Sequence, residues 1–353
     1  MTLNTEEIKE ILSSLGYNLV DKGTYWQTNA VFRQGDNKTA LQIYKDSGVW
    51  RDYVAQSKPM PFRALLEAHL GTNSDAEINK YLKTDRRGSF YESPSGPPPK
   101  IEMDEIYPEE HLNKLLPHYK CYTDKGISQA LLKKLKCGLA TEGQMYQRFV
   151  FPIYNEHGQI HGFAGRDMAN NPDRPKWKHI GKKTRWVYPL YVNEGTASAI
   201  PTRGVVLVES IGDMLNLIEH RLDNVLVIFG LDISPTLLCS LISLSPPSIT
   251  LALNNDEEGE INRGLLGACK NYLKLLNHFD PDLIKICLPT KNDFGEMTAS
   301  DFEKWATKDK KITFDFQRPH LIQAIDDFHK RKLISKNLYK NIKILQSYES
   351  SKR

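Results

Sequence analysis

The chain has 353 residues, of which 40% are hydrophobic and 25% are charged, a composition typical of a folded protein with two or three globular units. Neither an apolar run of roughly 18 residues nor a basic and then apolar N-terminus occurs, so no membrane span or secretory signal is indicated and we expect a cytoplasmic protein. The net charge of +4 is too small to indicate a nucleic-acid partner, and five scattered cysteines argue against a disulfide framework.

The first part of the chain predicts a small α+β module over residues 1–85. Apolar residues at helical spacing indicate helices over 6–15 and 62–70, and alternating apolar residues indicate a hairpin over 39–53. A stretch rich in Pro, Gly and Ser follows, and we assign residues 86–105 to an extended linker.

A basic segment follows the linker, and we assign residues 106–200 to it. The pattern predicts a helix with a basic face over 126–139. It also predicts a second hairpin, whose first strand begins at Arg148 and whose second strand leads to Arg166. We expect these two arginines to lie near one another and to bind phosphate, although solvated surface arginines would give the same pattern.

Lysines and two tryptophans are interleaved after this hairpin, between Lys176 and Trp186. Cations can neutralise phosphates while aromatic rings stack on bases, as in sequence-tolerant binding of single strands. A solvated charged surface is the simpler alternative. The candidate binding residues of the basic segment are Arg148, Arg166, Lys176, Lys178, Lys182, Lys183 and Arg185.

Polar residues follow the strands predicted over residues 201–316. Glu209 ends a buried strand, a second strand ends at Gly230, and Asn254 and Asp256 follow a third. Parallel strands bring such residues to one edge of a sheet, where open α/β folds bind their ligands. Oxygen ligands gathered at that edge suit Mg²⁺ or Mn²⁺.

The order and spacing of these motifs over residues 120–300 resemble the catalytic core of bacterial-type DNA primases. The motifs are YTDKGIS before the basic helix, the RFVFPI strand with its GFAGR return, the lysine-rich loop, and the VLVES strand followed by GD. In that family the strands that bear carboxylates form a TOPRIM domain. The resemblance implies an α/β fold with a mainly parallel, helix-flanked TOPRIM sheet, preceded by a basic α+β subdomain and a small N-terminal α+β module.

The resemblance also implies a set of site residues. The positions that match the family pattern are Glu209, Asp213, Asn254, Asp256, Gly259 and Asp293. Glu209, Asp213 and Asp256 are the implied catalytic carboxylates, and together with Asn254 and Asp293 they are the implied ligands of Mg²⁺ or Mn²⁺. Asn254 stands where the family has a carboxylate, which lowers the charge of the metal site. The basic candidates match the ridge that holds template and nucleotide.

The N-terminal module resembles the zinc-ribbon module with which primases recognise their template, but it lacks the metal ligands. No cysteine precedes Cys121, so a tetrahedral thiolate site is excluded and no zinc is expected. Apolar packing would then replace the ion. The residues expected to supply it are Trp26, Phe32, Leu41, Ile43, Trp50, Tyr53 and Phe62. An unrelated small α+β domain is the alternative.

The reaction implied by the resemblance is the synthesis of short RNA primers from ribonucleoside triphosphates on single-stranded DNA. We assign residues 317–353 to C-terminal helices and expect them to dock a replicative helicase. A TOPRIM-type metal-dependent nuclease and a non-catalytic, single-stranded-DNA-binding replication subunit are the alternatives. The small size and the missing zinc ligands favour a phage source, and no membrane partner is expected.

Overall fold

A computed structural model describes residues 3–55, 58–82, 106–169, 173–256 and 260–348. The chain divides into two compact units, Met1–Glu105 and Ile106–Arg353. The predicted linker and Gly259 lie outside the described residues. None of the described helices is both long enough and apolar enough to cross a bilayer.

The first unit is an antiparallel sheet with three helices. Its strands pair in the order β1 (Val20–Asp21), β2 (Tyr25–Thr28), β3 (Leu41–Tyr44) and β4 (Trp50–Asp52). The helices are α1 (Thr5–Ser14), α2 (Phe62–Leu70) and α3 (Asp75–Leu82). The predicted hairpin and the two predicted helices are confirmed. The structure adds a reciprocal cap between Asn4 and Glu7 at the start of α1.

Most of the aromatic and aliphatic residues expected in this module form its core. Trp26, Leu41, Ile43 and Trp50 are at most 3% exposed, and Phe62 packs with them. Phe32 is only partly buried against the same cluster. Tyr53 was predicted wrongly, since it is 57% exposed and follows the end of β4 on the outward side of the alternation.

An ion pair between the partly exposed Arg33 and the buried Asp52 stabilises this unit. The Arg33 guanidinium donates to both carboxylate oxygens of Asp52, at 2.7 and 3.1 Å. The Asp52 side chain is fully buried and also accepts hydrogen bonds from the backbone amides of Val54 and Ala55. Although burial opposes its charge, these four bonds hold the pKa of Asp52 below its usual value.

The second unit begins with a five-stranded antiparallel sheet. Its strands pair in the order β5 (Leu115–Leu116), β6 (Gly138–Ala140), β7 (Arg148–Tyr154), β8 (Ile160–Asp167) and β9 (Trp177–Ile180). Two short helices precede β6, α4 (Lys120–Thr123) and α5 (Gln129–Lys134). The second predicted hairpin is confirmed. The helix predicted over 126–139 is wrong in extent, because Ser128 caps its start and Lys136 adopts a left-handed conformation that ends it before β6.

A four-stranded parallel sheet forms the rest of this unit. Its strands lie in the order β11 (Val225–Val227), β10 (Val205–Val208), β12 (Ile249–Leu251) and β13 (Ile284–Ile286). The flanking helices are α6 (Glu194–Arg203), α7 (Ile211–Glu219), α8 (Pro235–Leu244), α9 (Arg263–Leu275) and α10 (Ala299–Lys311). The expected α/β fold with a parallel, helix-flanked sheet is confirmed. Every residue of β10 is buried, as both faces of such a sheet require.

The C-terminal helices belong to this unit. They are α11 (Phe314–Lys330), α12 (Lys336–Tyr339) and α13 (Ile342–Ser347). The boundary predicted between residues 316 and 317 is wrong, because α11 runs continuously across it. The Gln317 side chain accepts a hydrogen bond from the Ile286 amide at 2.7 Å and donates to the Ile284 carbonyl at 3.4 Å, so α11 is bonded to edge strand β13.

Short 3-10 helices complete the described chain, at Val31–Arg33, Glu109–Lys114, Gly143–Met145, Lys183–Arg185, Pro281–Leu283 and Phe294–Glu296.

Candidate active site between two sheets

The antiparallel and the parallel sheet of the second unit share one apolar core. Phe149 and Phe151 of β7 and Val206 and Val208 of β10 belong to the same buried cluster. The Val227 amide donates to the carbonyl of Tyr188 at 2.9 Å, which ties the loop after β9 to edge strand β11. A cavity of about 660 Å³ opens between residues of the two sheets, within the size range of small-molecule and cofactor sites.

The parallel sheet contributes its carboxyl edge to this cavity. Glu209 follows β10, Gly230 follows β11 and Asn254 follows β12, and all three line the cavity. The structure therefore brings together the strand ends that the sequence predicted would meet. Phe229, which precedes Gly230, adopts a left-handed backbone conformation with φ of 54°. A bulky residue rarely adopts this conformation outside functional sites.

Burial and neighbouring negative charges outweigh the positive charge near Glu209. Its carboxylate accepts a hydrogen bond from the backbone amide of Asn254, and Arg263 is a nearby cation. Burial, and after it the charges of Asp213 and Asp256, nevertheless raise the pKa of Glu209 to about 7. A bound cation would relieve this repulsion.

Asp213 lies in the cavity floor, but its carboxylate is already engaged. One oxygen accepts from the Ser210 hydroxyl at 2.7 Å and from the Ser210 amide at 3.1 Å. The other accepts from the Phe294 amide at 3.2 Å. Burial raises its pKa to about 6. Asp213 therefore caps α7 and ties the 294–296 turn to it, while its catalytic and metal-binding role stays a prediction.

Three further residues predicted to bind the metal ion lie at or near this edge of the parallel sheet. Asp293 lines the cavity and uses one oxygen to cap the turn that follows it. The side-chain oxygen of Asn254 is buried without a hydrogen-bond partner in the described chain. Asp256 is half-buried and lies outside the cavity lining, although its charge acts on Glu209. Within the described ranges, no three His, Cys, Asp or Glu side chains form a metal-binding group.

The antiparallel sheet contributes a cationic and aromatic wall. Arg166 of β8 and Trp177 of β9 are cross-strand partners, and the guanidinium lies 5.9 Å from the indole centroid. His179 is two residues further along β9 and faces the same side. All three line the cavity together with the exposed Lys125 and Lys176. The acidic edge and this wall thus face a common space.

Arg148 lies on the opposite face of the sheet, and its predicted binding role is wrong. The register pairs Arg148 with Asp167 and Phe149 with Arg166, so the two arginines point to opposite faces. Arg148 is 2% exposed. Its guanidinium donates to the carbonyls of Gly165 at 3.2 Å and Pro175 at 3.0 Å.

The remaining predicted cations also lie outside the cavity lining. Lys178 pairs with Gly165 on the face away from the cavity and donates to the Gln144 carbonyl at 2.9 Å. Lys182, Lys183 and Arg185 lie in the loop after β9 and do not line the cavity. Trp186 at the end of this loop is 1% exposed and cannot stack on a base.

His179 is a cavity residue that the sequence analysis did not select. Its ring packs against Trp186 at 5.6 Å and against Phe229 at 6.1 Å. Burial, and then the charge of Lys183, lower its pKa to about 4, so the ring is neutral. His179 lies two residues after Trp177, so strand alternation places both side chains on the same face. This inference was not possible until residues 177–180 were known to form a strand.

The fold and the cavity define an α/β protein in which the acidic edge of a parallel sheet faces the cationic side of an antiparallel sheet. Its fold is that of bacterial DNA primases. The chain is similar to the zinc-binding and RNA polymerase domains of the Aquifex aeolicus primase, with 16% identity, a TM-score of 0.50 and coverage of 98% of this chain and 97% of that chain.

The chain is also similar to two further proteins. A DNA primase of Legionella pneumophila is 22% identical over 228 residues. This match covers 55% of the chain and 38% of that primase, so the chain spans well under half of its curated relative. The RNA polymerase domain of the Mycobacterium tuberculosis primase DnaG has 14% identity and a TM-score of 0.45 over 59% of this chain and 79% of that chain. No family model matches the sequence.

Proposed function

We propose that the chain is a DNA primase, which synthesises short RNA primers on single-stranded DNA by metal-dependent nucleotidyl transfer. The observation that carries the proposal is the shared cavity, in which Glu209 and Asn254 face Arg166 and Trp177. Template-directed phosphoryl transfer needs oxygen ligands for cations on one side of a triphosphate and positive charge on the other.

The wall of the antiparallel sheet would bind the nucleotide. Arg166 presents a planar fork that can donate two parallel hydrogen bonds to a phosphate, and the exposed Lys176 adds a second cation. Trp177 lies partly open beside Arg166 and offers a stacking surface for a base. His179, being neutral, can accept or donate one hydrogen bond to a base without adding charge.

Mg²⁺ or Mn²⁺ fits the opposite side of the cavity. The donors would be the carboxylates of Glu209 and Asp293 and the unpartnered side-chain oxygen of Asn254, with phosphate oxygens of the nucleotide completing the set. A bound cation would align the attacking and leaving oxygens and offset the developing negative charge. With a pKa of about 7, Glu209 must release a proton before it can serve as a ligand.

The N-terminal unit would recognise the template. The outward face of its sheet carries aromatic, amide and arginine side chains, as a stacking platform for single-stranded DNA requires. These residues are Tyr25, Gln27, Gln42, Tyr44, Arg51 and Tyr53. The Tyr53 hydroxyl donates to Gln42 at 2.9 Å, and Arg51 lies 4.9 Å from the Tyr53 ring centroid, so the platform is partly pre-arranged.

A replicative helicase is the protein partner that we expect. Docking through the C-terminal helices would use only their outward residues, because Leu321, Ile325 and Phe328 of α11 are already buried. Removal of these helices would therefore damage the second unit itself, and point substitutions on their exposed side are the appropriate test.

The decisive experiment incubates the protein with ribonucleotides, Mg²⁺ and single-stranded DNA, and measures both new RNA and DNA cleavage. We expect Glu209→Gln to reduce primer synthesis by about 1,000-fold while DNA binding stays within twofold, since other residues hold the strand. Glu260→Gln is the matched control, because Glu260 is an exposed acid outside the cavity.

Each alternative has its own signature in this assay. Cut DNA without RNA would identify a nuclease. DNA binding with neither product, with Mg²⁺ and with Mn²⁺, would identify a non-catalytic subunit. Undiminished synthesis by Glu209→Gln would overturn the assignment of the cavity.

A further inference from the structure

A second cavity lies in the same unit and shares no residue with the first. It is a groove of about 820 Å³ between α10 and α11, at the end of edge strand β13. Its apolar lining includes Ile286, Ile312 and Phe316. Nothing in the proposed polymerase reaction uses this groove.

The apolar side of the groove is open to solvent. Phe316, in the first turn of α11, is 66% exposed and is the most exposed of the large hydrophobic residues in the described chain. Its ring has an aromatic contact with His320 at 5.8 Å. Ile286 and Ile312 are also only partly buried. An exposed apolar patch of this kind with a polar rim is typical of a protein interaction site.

The rim of the groove is positively charged. Lys304, Lys308 and Lys311 are exposed and spaced four and three residues apart, so they line one side of α10. Within the described ranges none of their ammonium groups has an ion pair or hydrogen bond, although the charge of Lys304 acts on Asp301. Lys285, by contrast, pairs with Asp309 at 3.0 Å. The groove contains a single acid, Glu303, which leaves a net positive rim.

We propose that this groove binds an acidic, amphipathic segment of a partner protein. Apolar side chains of the segment would cover Phe316 and Ile312, while its carboxylates would pair with the lysines, as in the binding of a helix in a groove. A nucleic-acid strand fits less well, because the groove offers only the Phe316 and His320 rings, which contact each other, and no arginine, whereas single-strand sites combine several stacking rings with backbone contacts.

Binding of a labelled synthetic peptide to the full chain tests this proposal. The peptide carries Asp and Glu on one helical side and Phe and Ile on the other. Its controls are a version with amides in place of the acids, a version with Ser in place of the apolar residues, and a single-stranded oligonucleotide. We expect Phe316→Ser and Lys308→Glu each to weaken peptide binding by about tenfold or more.

The matched control is Lys310→Glu, which reverses an exposed charge on the same helix outside the groove, and we expect it to leave peptide affinity unchanged. Primer synthesis and far-UV circular dichroism, measured in parallel, should be the same in all three variants. Failure of the peptide to bind at up to about 1 mM would overturn the proposal. Equal losses in Lys308→Glu and Lys310→Glu, or loss of oligonucleotide binding with peptide binding intact, would overturn it as well.

Discussion

Arg148 and Arg166 lie on neighbouring strands of one antiparallel sheet, but their side chains point to opposite faces and have different surroundings. Arg148 is buried, and its guanidinium is bonded to two backbone carbonyls. Arg166 lines the cavity beside Trp177. Lys178 is bonded to the Gln144 carbonyl, whereas Lys176, which precedes β9, is exposed and lines the cavity. Residue type alone therefore does not identify the binding residues, whereas the face does.

A bulge in the hairpin creates this division. Ile153 pairs with Gly162, but Tyr154 pairs with Ile160, so His161 is an extra residue in β8. If the pairing of Tyr154 with Ile160 continued along both strands without this extra residue, Arg148 would pair directly with Arg166. The two side chains would then lie on the same face. A shift of one residue moves every side chain beyond it to the other side of a strand.

Among the substitutions that distinguish the two faces of the sheet, we expect Arg148→Ala to have the largest effect on stability. It would leave the Gly165 and Pro175 carbonyls without their donor and remove packing from a buried site. We expect the free energy of unfolding to fall by about 3 kcal/mol. Urea denaturation measures this. A variant as stable as the wild type, but inactive, would show that Arg148 acts at the cavity after all.

Arg166→Ala should have the complementary result. We expect primer synthesis to fall by about 100-fold, because a phosphate ligand is lost, and the free energy of unfolding to change by less than about 1 kcal/mol, because the residue is only partly buried. Steady-state kinetics with urea denaturation of the same sample separates the two effects. A large loss of stability without a kinetic defect would remove the distinction between the faces.

The acidic edge opposite Arg166 should give the stability of the protein a distinctive pH dependence. The folded pKa of Glu209, about 7, lies above its ordinary value of 4.5. The unfolded chain therefore ionises first, and this group makes stability fall as pH rises from about 4.5 to about 7. Without divalent cations, we expect Glu209→Gln to be more stable than the wild type by about 1 to 2 kcal/mol at pH 8, and the difference to shrink at pH 5.

Denaturation at the two pH values checks this expectation. Addition of Mg²⁺ at pH 8 should stabilise the wild type more than the variant, because a ligand that binds the folded state raises its stability. A difference that is identical at pH 5 and pH 8 would mean that Glu209 is not buried among like charges.

The smallest effect should come from the two lysines. Lys176→Ala is expected to raise the KM for ribonucleotides by about tenfold, whereas Lys178→Ala should leave it within twofold, since Lys178 is bonded to the Gln144 carbonyl and does not line the cavity. The two variants remove the same charge two positions apart, so each is the control of the other. Equal changes in KM would indicate a diffuse electrostatic effect and not a directed contact.

The sequence was a good guide wherever local pattern decided the outcome. The polar ends of β10 and β12 predicted that Glu209 and Asn254 would meet, because the geometry of parallel strands places both at one edge. The pattern could not predict the hydrogen bonds of Asp213 and Arg148, since these depend on non-local partners. Asp213 is engaged by the Phe294 amide, which is 81 residues away, and the face of Arg148 depends on the bulge at His161.

The bond between Gln317 and strand β13 has a consequence for solubility. An edge strand with free amides and carbonyls is a template on which other chains can add, and natural proteins protect such edges. Here one glutamine, placed by a helix that follows the sheet in sequence, occupies both an amide and a carbonyl of the last strand. A fragment truncated at residue 316 would leave that edge uncovered, and aggregation, more than loss of chemistry, would limit its use.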